Sequence, residues 1–197
     1  MAVDIAEVKR LKDLTGVGLT DAKKALEEAG DFDKALAAMR KKGLTKADKR
    51  GEKEAREGVI GTYNHDGRIG VLVEVNCETD FVARGDIFGA LVKDVAMHIA
   101  ASNPEYVSSE SIPAADHDKM KKEFTEKTKA EGKPADMVDK IVEGQLKKYF
   151  AERCLLDQPY VKNPDITVGD HVKQNAALMN ENVVVRRFNR IALGEVA

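Results

Sequence analysis

The nine residues Asn76-Cys77-Glu78-Thr79-Asp80-Phe81-Val82-Ala83-Arg84 bring two carboxylates, a hydroxyl and a large aromatic ring into one short stretch. Three readings of it stand side by side. Glu78 and Asp80, with His98 further along, are the residue types that general acid-base chemistry uses, although no pocket signature accompanies them. Alternatively, a strand edge delivers an acidic and a large aromatic side chain onto the turn into the next helix as a functional element. In the third reading Thr79 or Asp80 caps that helix and Phe81 belongs to the core.

Other chemistry is sparse. The histidines His65, His98, His117 and His171 show no i,i+4 pairing and no nearby ligand cluster, so no metal site is expected. Neither G-x-x-x-x-G-K-[ST] nor G-x-G-x-x-G occurs, and Gly16-Val17-Gly18 alone fits an interhelical turn. Cys77 and Cys154 are too few for a disulfide framework and are read as reduced thiols. The expectation is a protein with no catalytic residues and no cofactor, not an enzyme.

The elements that must position the nine-residue stretch follow from periodicity. Ile5, Val8, Leu11 and Leu14 form one apolar stripe. Thr20 is placed to cap a second helix with Ala22, Ala25, Leu26 and Ala29 inward and Gly30 as its stop. Asp31 opens a third helix with Phe32, Leu36 and Met39 on one face and Gly43 just beyond its end. Leu44 to Arg56 is a mixed-charge linker or solvated helix.

Strand chemistry begins at Gly58. Val59 to Tyr63, the turn Asn64-His65-Asp66-Gly67 and the alternation of Ile69, Val71, Val73, Val75 and Cys77 predict a β-hairpin ending at Glu78. Phe88, Leu91, Val92, Val95 and Ile99 mark an amphipathic helix that ends before Pro104. Residues 114–153 predict an antiparallel helical hairpin that projects from the body. Its outgoing arm carries His117, Met120 and Phe124. Glu131-Gly132-Lys133-Pro134 breaks it, and Val138, Ile141, Val142, Leu146, Tyr149 and Phe150 stripe the return. A short helix capped by Thr167 and a strand from Val183 complete the chain.

Charge and hydropathy narrow the class. No run approaches the roughly 18 apolar residues of a membrane helix, and the start Met1-Ala2-Val3-Asp4 lacks signal-peptide character, so a cytoplasmic protein without membrane contact is expected. Residues 1–50 hold 12 Lys and Arg against 9 Asp and Glu, whereas residues 51–197 hold 20 against 25. A mildly acidic body is poorly suited to neutralising phosphates, so no direct nucleic-acid partner is expected. The basic 41–56 segment is the one place for RNA.

Several long stretches then resemble one family in order. Leu14-Thr15-Gly16-Val17-Gly18-Leu19-Thr20-Asp21-Ala22-Lys23-Lys24-Ala25-Leu26, Glu74-Val75-Asn76-Cys77-Glu78-Thr79-Asp80-Phe81-Val82-Ala83, Cys154-Leu155-Leu156-Asp157-Gln158-Pro159-Tyr160-Val161-Lys162 and Val185-Arg186-Arg187-Phe188 resemble elongation factor Ts. That resemblance implies an α+β protein. A three-helix, ubiquitin-associated-like module at residues 1–50 would dock on the GTPase domain of elongation factor Tu. An exchange core at residues 51–197 would follow, with a three-stranded antiparallel sheet and the projecting hairpin. The implied function is guanine-nucleotide exchange on Tu during translation elongation. Thr79, Asp80, Phe81 and Val82 would dislodge magnesium in Tu, and Leu19, Thr20 and Lys23 would make docking contacts.

The long form of the family has two related core subdomains, while only one sheet can be built here. A three-stranded sheet leaves a face or edge to be covered, which predicts a homodimer with Val183, Val185 and Phe188 as candidates for its apolar seam.

Overall fold

The computed structural model describes residues 4–195, except for the side chains of 44–49 and 135–136. The side chains of Lys46, Asp48 and Lys49, from the mixed-charge linker, therefore lie outside the described residues.

Three helices open the chain: α1 (Ile5–Thr15), α2 (Leu19–Ala29) and α3 (Phe32–Arg50). They enclose a small core of Val8, Leu11, Ala22, Leu26, Ala35 and Met39. Asp4 caps α1 by accepting from the Ala6 N–H, Asp31 caps α3 by accepting from the Lys34 N–H, and Gly16 and Gly30 end the first two helices in the left-handed conformation.

Three details differ from the sequence reading. Ile5 and Leu14 are exposed. At 3.6 residues per turn a spacing of three precesses, so residues nine apart lie about half a turn round the helix and cannot share a buried face. Gly18, not Thr20, is the N-cap of α2. Gly43 does not end α3; it sits inside the helix where a Cβ would lie 3.4 Å from the Ala177 Cβ, so the missing side chain serves close packing.

The core follows as β1 (Glu57–His65), β2 (Ile69–Cys77), α4 (Asp80–Ala83), α5 (Asp86–Ser102), α6 (Ala114–Ala130), α7 (Ala135–Ala151), β3 (Pro159–Tyr160), β4 (Asn163–Thr167), α8 (Val168–Met179) and β5 (Val184–Ala192). The main sheet is antiparallel in the order β1-β2-β5. The β1-β2 hairpin turns through Asp66, Gly67 and Arg68, with Asp66 and Gly67 at positive φ and the Arg68 N–H bonded to the His65 carbonyl. Val71, Val73, Val75 and Cys77 line its inner face against Phe88, Leu91, Val92, Val95 and Ile99 of α5, with Val168, Val172 and Ala176 of α8 closing the cluster. Each fully buried Phe, Leu or Ile there contributes about 1.5–3 kcal/mol. Thr167 and Asp170 form a reciprocal capping box that starts α8, which runs for 12 residues and is longer than expected.

β5 corrects the expected dimer seam. Its register on β2 shifts between Glu74 and Val75, leaving Arg186 unpaired in a bulge. The extra residue resets the alternation, so Val185 and Phe188, three apart, both turn inward. Val183 and Val185 are buried core residues and Phe188 packs against them. The outward side chains of β5 are instead Arg187, which pairs with Glu74 at 2.7 Å, and the exposed Ile191.

α6 and α7 form the expected helical hairpin. Its own cluster of Val138, Val142, Leu146, Phe150 and Cys154 is joined by Tyr106, Ile112, Met120, Phe124 and Tyr149, with His117 stacked on Phe150. A second, two-stranded sheet, β3-β4, was not legible, because Pro159 and Pro164 break up the alternation that marks a strand.

Gly61 faces α5 from the inner side of β1, where an added Cβ would overlap the Val92 Cγ1. Gly61→Ala is expected to cost about 1–3 kcal/mol by forcing α5 off the sheet. Urea unfolding checks this, and an unchanged midpoint would show that α5 can move freely there.

Candidate functional site

β2 ends at Cys77, and after Glu78 and Thr79 the four-residue helix α4 begins. Thr79 is its N-cap: the backbone is extended and the hydroxyl accepts from the Val82 N–H at 3.4 Å. The Cys77 thiol donates to the Thr79 carbonyl at 3.2 Å. Val82 and Ala83 pack on the main core and hold α4 down. Asp80 pairs with Arg84 at 3.1 Å on the surface.

Phe81 points the other way and is 85 % exposed. Of the readings open at this stretch, the cap is thus Thr79, and a core phenylalanine is excluded.

Beneath the turn lie two carboxylates. Glu181, 8 % exposed, follows Asn180, which ends α8 in the left-handed conformation. Its Oε2 accepts from the Glu78 and Thr79 N–H groups, both at 3.1 Å, and its Oε1 accepts from the Thr79 hydroxyl at 2.6 Å. Glu78 receives Arg50 of α3 through Nε at 2.7 Å and Nη2 at 3.3 Å, the Asn182 N–H at 2.6 Å, and Lys53 at 3.5 Å. The Arg50 guanidinium, aided by the Asn182 amide, holds the Glu78 carboxyl down at about 2. The Asn182 side chain donates to the carbonyls of Gly51 and Lys53, which fixes the chain between α3 and β1.

The acid-base reading fails on this geometry. Glu78 is committed to Arg50 and Lys53. His98 is wholly buried, with Nε2 on the Gln158 Oε1 at 2.9 Å and Nδ1 accepting from the Val161 N–H at 3.2 Å. Both cysteines are free and buried, and burial pushes the Cys154 thiol up to about 11. Among the described residues no group of three or more acidic, histidine or cysteine side chains could hold a metal ion. No described helix is long and apolar enough to cross a membrane.

Leu19, Thr20 and Lys23 all lie exposed on α2, where Lys23 pairs loosely with Glu27 at 3.8 Å. The sequence reading missed Arg50, Asn180, Glu181 and Asn182. The one signal was the polar run Asn180-Glu181-Asn182 set between an amphipathic helix and three valines.

The chain has matches among known proteins. The elongation factor Ts family model fits residues 22–195. The chain belongs to the elongation factor Ts family. It is 49 % identical over 197 residues to elongation factor Ts of Geobacter sulfurreducens, covering 99 % of this chain and 91 % of that protein. Heliobacterium modesticaldum has a relative of the same name at 51 % over 195 residues, covering 98 % and 91 %. For that of Carboxydothermus hydrogenoformans the identity is 51 % over 190 residues, covering 95 % and 88 %. The three-helix N-terminus and the α+β core fit this family.

Since Glu78 is held down at about 2, its pairing with Arg50 stabilises the fold fully above about pH 4.5, where the carboxyl is ionised folded or unfolded. The contribution is lost as pH falls towards 2. Glu78→Gln is therefore expected to be less stable than wild type at pH 7, with the gap narrowing between pH 4.5 and 2. Urea midpoints across that range check it, and a constant gap would mean that the pair adds no pH-dependent stability.

Proposed function

We propose that this protein is a guanine-nucleotide exchange factor for elongation factor Tu in translation elongation, acting without a cofactor and without catalysing a chemical reaction. The observation that carries the proposal is the exposure of Phe81 on a turn anchored through the N–H groups of Glu78, Thr79 and Val82. An aromatic ring left in water contributes nothing to folding, and rigid exposed aromatics are what protein interfaces use as anchors.

Phe81, flanked by Thr79, Asp80 and Val82, presses on the GTPase beside its nucleotide. Magnesium bridges the nucleotide phosphates to the GTPase in near-ideal octahedral geometry, so a small displacement of its surroundings weakens much of the nucleotide's hold. Release about 10³-fold faster needs roughly 4 kcal/mol of barrier, within reach of one desolvated anchor and displaced metal contacts. Residues 1–50 serve as the docking module, with Leu19, Thr20 and Lys23 touching Tu. GTP then refills the emptied site.

The working unit is a homodimer. The outer face of the sheet exposes Ile60, Leu72 and Ile191, one from each strand, with a shallow groove among Thr62, Gly70, Leu72, Asn189 and Ile191. This face replaces the Val183 and Val185 seam, since those residues are used up inside the monomer. Pairing two such faces about a two-fold axis lets one chain offer Phe81 to a given Tu while its partner supplies contacts that the long form of the family draws from a second subdomain.

Release of a fluorescent GDP from Tu, followed against exchange-factor concentration, tests the exchange role. Phe81→Ala should lower the maximal rate by about 10²-fold or more while leaving stability within about 0.5 kcal/mol, since the ring buries almost nothing. Lys23→Glu should raise the half-saturating concentration and leave the maximal rate alone. Unaltered release by the wild-type chain would overturn the proposal. For the dimer, light scattering at micromolar concentration should give twice the chain mass with or without reductant, because both thiols are buried. Leu72→Arg should give the single-chain mass. A wild-type monomer would refute it.

A further inference from the structure

We infer that Glu181 is the positioning residue of the Phe81 turn, setting its geometry through the backbone amides of Glu78 and Thr79 and through the Thr79 hydroxyl. The inference rests on the exchange role proposed for Phe81 and identifies what aims the ring.

The hydroxyl of Thr79 has one proton. Given to the Glu181 Oε1 at 2.6 Å, it leaves only lone pairs to face the Val82 N–H at 3.4 Å, so the carboxylate orients the group that caps α4. The other oxygen, Oε2, takes the two preceding N–H groups together, each at 3.1 Å. Three consecutive constraints, on Glu78 N, Thr79 N and Thr79 Oγ1, thereby fall on the two residues directly before Asp80 and Phe81.

Burial gives these bonds their strength. At 8 % exposure the carboxylate has little water to turn to, so any turn conformation that withdraws a donor leaves charge unpaired. Glu181 is itself held, because its N–H bonds to the Ala176 carbonyl at 3.2 Å and Asn180 closes α8 in the left-handed conformation. The turn is in this way referenced to α8 across more than a hundred residues of sequence, and Phe81 needs no contact of its own to be aimed. A glutamine at 181 matches the shape but has no charge and only one acceptor oxygen, so its NH2 group faces either the two N–H donors or the Thr79 hydroxyl, which must then turn and accept, and the turn loosens without a cavity opening.

The test uses the full chain with Tu carrying fluorescent GDP. Glu181→Gln should lower the maximal release rate by about tenfold or more, the scale of losing positioning, with the half-saturating concentration within about twofold of wild type. In the Phe81→Ala background the same change should have no further effect, because Glu181 acts through the ring. Thr79→Val, which removes the hydroxyl and with it both the Glu181 link and the α4 cap, should slow release as well, and Thr79→Ser should restore it. It guards against a Glu181→Gln protein that does not fold. A full maximal rate for a folded Glu181→Gln protein, a loss that only tracks the folded fraction, or equal losses with and without Phe81 would each overturn the inference. If Phe81→Ala itself exchanges normally, the exchange role of the ring fails instead, and the two failures are told apart.

Discussion

Taking the Glu181 carboxylate out of water costs several kcal/mol unless donors replace the lost hydration, and the Phe81 turn is the arrangement that supplies them. Hydrogen bonds to an ionised group contribute about 1.5–3 kcal/mol each, so three together outweigh what any one neutral turn bond could offer. The effect is selective as well as stabilising. A turn that swings Thr79 away gives up two donors at once, its N–H and its hydroxyl, and alternative conformations of this short helix are penalised together. The backbone that carries the exposed ring is therefore held from beneath.

The second carboxylate extends this control beyond the turn. Glu78 ties the end of α3 to the same strand terminus through Arg50, and Asn182 binds both Glu78 and the chain that leaves α3. Gly16 approaches so closely that a Cβ would lie 2.9 Å from the Leu178 carbonyl, and Gly43 lets α3 lie against α8. The helical module and the Phe81 turn thus share one support, the C-terminal end of α8. A factor that loosens GDP must itself be loosened by GDP, by the same free energy. In the exchange role proposed above, a common support would keep the two surfaces from deforming as that free energy is exchanged.

Much of this was legible from local pattern. The alternation from Ile69 to Cys77 and the helical spacing from Phe88 to Ile99 each bury one face, so their periods survive folding unaltered. The stretch at Thr79-Asp80-Phe81 stood out by its composition, yet its capping residue and the exposure of its ring depended on what lay beneath it. That support comes from Glu181, whose partners are 102 and 103 residues away, and no local period records such a distance. Gly43 and the bulge at Arg186 misled for the same reason: a glycine reads as a stop and a valine run reads as a plain strand until the neighbouring helix or strand is known.

The same economy of buried polar groups locates α8 itself. His98, wholly enclosed on α5, has a proton on Nε2 for the Gln158 Oε1, because its Nδ1 must accept from the Val161 N–H. Gln158 in turn donates to the Glu152 carbonyl at the end of α7. Burial lowers the affinity of this imidazole for a second proton, which would have to displace the Val161 amide. Lys162, two residues past the His98 partner Tyr160, reaches Asp94 on the same helix at 2.6 Å, and His171 lies 3.3 Å from the other oxygen of that carboxylate while stacked on Tyr160. These contacts pin the β3-β4 hairpin to α5 and, through Thr167 at its end and His171 one turn later, set where α8 starts. The helix runs twelve residues to Met179, and Glu181 follows two residues past its end. The enclosed polar groups of α5 and the β3-β4 hairpin thus meet at one place, the first turn of α8.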